Sequence, residues 1–245
     1  MTSVRDLHPL KGEPNFRWRG GNPSRVEALT DMVFAFALTL LVVSNAPPGS
    51  FDELVTQLWG FPGFAAAFAM LLLLWHSHYV FFRRYALEDQ WTTVLNAGLL
   101  FLIVFFVYPL KYLATMLSQF VRSIVAGAPQ PPMSLEHARD GLVIVSLGYA
   151  AVFAMFALLY AHALRRREEL DLDAHETKLT RFGAAQHWVH VSIGVLVAIS
   201  ASVLPLFWAP FSGFLYCLIG PLIFATGVVF APNVKHAPTA PKPSM

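Results

Sequence analysis

Six stretches of this chain run for roughly 20 residues with almost no charge, and each is long enough to cross a bilayer core as a helix. They lie at about 28–47, 58–82, 93–118, 141–164, 184–207 and 211–231. In hydrocarbon the backbone must satisfy its own hydrogen bonds, which leaves only helices and closed barrels. Barrel strands alternate polar and apolar residues over about 10 positions. These runs are continuous, so the expected fold is all-α: a polytopic membrane protein with six transmembrane helices. The charged fraction of 13% is about half the roughly 25% usual for soluble domains, and it agrees with that expectation.

The runs divide the chain. Residues 1–24 form a polar arm with Pro9, Pro14 and Pro23, expected to be cytoplasmic. The run after Arg25 exceeds the 7–15 apolar residues of a signal peptide, so this arm reads as part of the protein. Residues 25–231 are the membrane domain, and residues 232–245, with four prolines, read as a disordered cytoplasmic tail. Pro109 is expected to kink or end the third span. The run Arg165–Arg181, RRREELDLDAHETKLTR, is the densest in charge and reads as a solvated connection with a short helix. Counting Arg25 with the arm, fourteen of the 17 Lys and Arg residues fall in the arm, the even-numbered connections or the tail. By the positive-inside rule, a multi-pass chain with both termini cytoplasmic is expected. The net charge of +2 is scattered, which argues against nucleic acid as a partner. A single cysteine, Cys217, excludes an internal disulfide and a cysteine-based zinc site.

Polar groups inside the spans narrow the function. The first span carries Arg25 and Asp31 before a charge-free run from Met32 to Val43. On a helical wheel Leu29, Met32, Phe36, Thr39, Leu40 and Val43 share one face, and Asp31 lies off it. The second span ends in Trp75-His76-Ser77-His78, and the third opens near Asn96. An unpaired polar group in lipid costs several kcal/mol, so Arg25, Asp31, His76 or His78, and Asn96 are expected to form one structural network. His187 and His190, with His162 nearby, allow an alternative: a histidine-dependent, haem-binding membrane redox protein. No HExxH, GxSxG or Walker sequence is present, and no catalytic residue is assigned.

The stretch RVEALTDMVFAFALTLLVV resembles the first-helix motif of the bacterial relatives of the lysosomal potassium channel: an Arg, three spacers, Phe-Ser-Asp, and a helix with a central Thr. WHSHYVFFRR is similar to that family's Trp-x-x-His block, and VLNAGLLFLIVFFVYP to its Asn-led run closed by Pro. The resemblance implies a homotetramer in the lipid bilayer, with the first helix of each subunit lining a central pore. It implies a potassium-preferring cation channel, not an enzyme, without a carbonyl filter or a cofactor; monovalent cations, K+ foremost, are the permeant species. Phe36 would be the hydrophobic constriction, Thr39 the hydroxyl ring beside it, and Val43 a further apolar ring, with Leu40 adjacent. Arg25, Asp31, Trp75, His78 and Asn96 would pack behind the pore helix. This chain departs from the motif in having Leu29-Thr30-Asp31 for Phe-Ser-Asp, and Phe36 where Ile or Leu is usual. A Phe36 that seals the pore would make the chain a non-conducting structural relative.

Overall fold

A computed structural model describes residues 16–43, 47–127 and 134–230. Helices α1 (Arg25–Val43), α2 (Phe51–Leu58), α3 (Phe61–Tyr85), α4 (Gln90–Ala126), α5 (Leu135–Arg165) and α6 (Ala174–Val203) are followed by a 3-10 segment (Ala209–Leu218) and α7 (Ile219–Phe230). Among the described residues there is no strand. Five segments are long and apolar enough to cross a membrane: α3, α4, α5, α6 and the stretch Ala209–Val229. Helix α1 differs by carrying Arg25, Glu27 and Asp31 in its first two turns.

Helix ends follow local chemistry. Asp89 caps α4 by accepting from Thr92 N–H, and Ser134 caps α5 through His137 N–H. Asp173 and Glu176 form a reciprocal capping box at the start of α6. The helix expected within the charged run after Arg165 is not a separate short one: the second half of the run is the opening of α6, which starts ahead of the expected span. Two further boundaries differ. Helix α4 continues through Pro109 instead of ending there, as proline is tolerated when neighbouring helices cover the freed backbone. The connection after the first span contains α2, capped by Ser50 and unforeseen from the sequence.

Helix α5 packs chiefly on α6, and α4 on α3 and α5, while α1 lies against α3 and α4. At Gly63 the backbones of α3 and α4 meet: an added Cβ would sit 1.7 Å from Ala114 O. Ser118 Oγ seals that crossing, accepting from Gly63 N–H at 2.9 Å and donating to Gly60 O at 3.0 Å. The arm residues 1–15 and the tail 231–245 lie outside the described residues.

Candidate functional site

Helix α1 is apolar on two faces, and only one of them is used within the chain. Glu27, Thr30, Phe34, Ala37 and Leu41 recur at spacings of 3 and 4 and are buried against α3 and α4. Leu29, Met32, Phe36 and Thr39 occupy the opposite face and are exposed. Phe36 is 54% exposed where Phe34 is 2%. From Leu29 to Thr39 this strip runs about 15 Å at 1.5 Å per residue. Thr39 Oγ donates to Ala35 O at 2.8 Å, so its lone pairs remain free to face outward. Leu40 is only partly exposed and packs on the core, which sets it apart from the strip. The side chain of Val43 lies outside the described residues.

Behind the strip, the expected polar network divides. His78 Nε2 donates to Asn96 Oδ1 at 2.9 Å, Asn96 Nδ2 donates to Thr30 Oγ at 3.0 Å, and Thr30 Oγ donates to Val26 O at 2.9 Å. All three side chains are buried, and the chain of donors stitches α3 and α4 to α1. Trp75 Nε1 separately donates to Asp31 Oδ1 at 2.8 Å at the exposed edge. Arg25 joins neither set: it is exposed, without a polar partner among the described residues. The buried ion pair of α1 is instead Glu27 with Arg83, at 2.7 Å. Glu27 carries no expectation from the sequence, and Thr30 only that of the hydroxyl position in the first-helix motif. Their spacing of three, on the face that carries Phe34, was the available signal.

A second polar junction lies at the same end of the helices. Asp89 Oδ2 accepts from Arg166 Nη1 at 2.7 Å and from His162 Nε2 at 2.9 Å. Burial raises the Asp89 pKa, but the hydrogen bonds from His162, Thr92 N–H and Arg166 outweigh it and hold the carboxyl well below its usual range.

The candidate histidines are engaged by aromatic and polar neighbours. His190 stacks on Phe153 at 4.2 Å and His187 on Phe156 at 5.2 Å. Tyr149 OH is hydrogen-bonded to His190 Nδ1. His162 is engaged by Asp89. Among the described residues no group of three or more His, Cys, Asp or Glu could hold a metal ion.

Comparison with known proteins finds relatives of this chain. The family described as "Endosomal/lysosomal potassium channel TMEM175" matches residues 25–106, which contain the α1 strip and the His78–Asn96–Thr30 set. A potassium channel of Marivirga tractuosa is 34% identical over 225 residues, covering 87% of this chain and 90% of its own. A potassium channel of Chamaesiphon minutus is 28% identical over 186 residues, covering 70% of this chain and 84% of its own. Among solved structures, the potassium channel MtTMEM175, crystallised as a variant with a nanobody–MBP fusion protein, superposes with a TM-score of 0.82. It is 32% identical, covering 90% of this chain and 98% of its own.

Proposed function

The chain belongs to the TMEM175 family, whose relatives here are channels and not enzymes, and on that premise we propose that it is a homotetrameric potassium channel. Four copies of α1 line the conduit, with Leu29, Met32, Phe36 and Thr39 turned to the axis. The observation that carries this reading is the unpartnered apolar face of α1, since a strip of that kind is stable only when covered by lipid or by other copies. Four-fold closure places Phe36 against its equivalents and forms a hydrophobic constriction that gates by dewetting. Thr39 supplies hydroxyl oxygens one turn beyond it, where an ion leaving water gains ligands. Val43 continues the apolar lining. Helix α1 is then the sixth span beside the five longer apolar segments, and both termini are cytoplasmic in a bacterial inner membrane. K+ is the permeant ion, preferred over other monovalent cations, and no cofactor takes part.

Flux of K+ into liposomes holding the wild type, Phe36→Ala or Thr39→Val tests this. Phe36→Ala is expected to raise flux about tenfold, the effect of roughly 1.4 kcal/mol off the barrier. Thr39→Val is expected to lower flux and to narrow the preference for K+ over Na+. Flux only in Phe36→Ala makes Phe36 a seal and the chain a non-conducting relative. No flux in any of the three ends the channel reading.

A further inference from the structure

Residues 16–24 precede α1 and are held far more tightly than a connecting segment needs. Phe16 is buried, set edge-on to Tyr85 at 5.6 Å and beneath the Arg84 guanidinium at 4.9 Å. Arg19 N–H and Gly20 N–H both donate to Arg83 O at 3.0 Å. Glycine at position 20 permits that approach, since a Cβ there would lie 2.8 Å from Phe82 O. The Arg83 side chain turns back on the same segment. Its Nη1 donates to Gly20 O and Gly21 O, and its Nη2 donates to Glu27 Oε2 on α1.

The other flank is fixed by one carboxylate. Glu176, 1% exposed, accepts from Arg17 N–H at 2.9 Å, Arg17 Nη2 at 2.9 Å and Arg19 Nη2 at 2.7 Å. It also accepts from Asp173 N–H as half of the α6 capping box. A single group therefore starts α6 and ties down the chain leading into α1.

We infer that residues 16–24 are a strap that positions α1, with Glu176 as its anchor and thus a positioning residue for ion conduction. The conduction part rests on the pore reading above. Four exposed apolar strips gain by collapsing onto one another at the axis. The strap runs from the first turn of α1 to α3 and α6, and α3 packs on the face of α1 away from the strip, where Arg83 pairs with Glu27. It therefore opposes collapse and favours the conducting arrangement. Releasing Glu176 removes that restraint without touching any residue of the conduit.

The test compares full-length wild type, Glu176→Gln and Arg19→Gln in lipid. Gln at the third helical position still serves a capping box, so Glu176→Gln keeps the start of α6 while losing the charge. Arg19→Gln loosens the same anchor from the other side and serves if Glu176→Gln fails to fold. Amide exchange in residues 16–24 and in the first turn of α1 is expected to rise about tenfold in either variant. In single-channel recordings the open probability is expected to fall about fivefold or more, at unchanged unitary conductance and ion preference. Unchanged exchange in the first turn of α1 overturns the inference. So does a loss of unitary conductance at unchanged open probability. A wild type that does not conduct defeats the pore reading instead, and the exchange measurement still decides the strap.

Discussion

A threonine hydroxyl donates once and accepts at two lone pairs, and Thr30 uses both capacities, one within its own helix and one between helices. It bonds the carbonyl four residues back, as threonine in a helix ordinarily does, and also receives the Asn96 amide. Thr30→Val strands an amide proton of Asn96 in a buried site, at a cost of about 1–3 kcal/mol. Thr30→Ser preserves both bonds. Thermal unfolding in detergent should therefore rank Thr30→Val below Thr30→Ser, with Arg25→Ala near wild type because Arg25 is exposed and unpaired among the described residues. Sequence reasoning found His78 and Asn96 because amide and imidazole groups in lipid demand partners. It grouped Arg25 with them by proximity, although a long side chain at a helix end can reach water. Thr30 stood only as the motif's hydroxyl, because a hydroxyl can be satisfied by its own helix, so nothing in the sequence required its second bond to Asn96.

At the scale of elements, helix contacts depend on small residues that hydropathy does not mark. At Gly63 an added methyl meets the backbone of α4, which cannot rotate aside, whereas at Gly148 it meets the Phe106 ring at 2.7 Å. At Gly98 it would touch only the flexible end of Met155, at 3.4 Å. Loss of folded protein in detergent should thus be largest for Gly63→Ala, intermediate for Gly148→Ala and slight for Gly98→Ala. The apolar runs were legible because each helix must span the membrane. The start of α6 was not, because its opening turns lie in charged sequence and are fixed by a capping box. Asp89 joins two such elements, capping α4 while binding His162 and Arg166 of α5. Its folded pKa lies below its unfolded value, so its contribution is complete above about pH 4 and is lost as pH falls from there toward the folded value. Melting between about pH 3 and 7 should show the wild type weakening at the acid end. Asp89→Asn, which keeps the cap, should start lower and change less with pH.

At the scale of the whole molecule, one chain cannot enclose a pore with a single helix, and its sequence carries no direct mark of the copy number. What the chain does show is an asymmetry across α1: Phe34 faces its own subunit and Phe36 faces none of it, two residues apart. If symmetry covers the open face, Phe36 meets its equivalents near the axis, while Phe34 stays inside each subunit. Cysteine is a sensitive reporter of that difference, because a disulfide forms only when Cα atoms approach within about 7 Å. Cys217 is exposed and must first be replaced by Ser. In that background, oxidation in the membrane should join subunits through Phe36→Cys into covalent dimers, and Phe34→Cys should remain monomeric. Crosslinking at both positions would point to a mobile α1 that exposes either face. Crosslinking at neither would leave the Phe36 face to lipid, and the central conduit would then have to be sought on another helix.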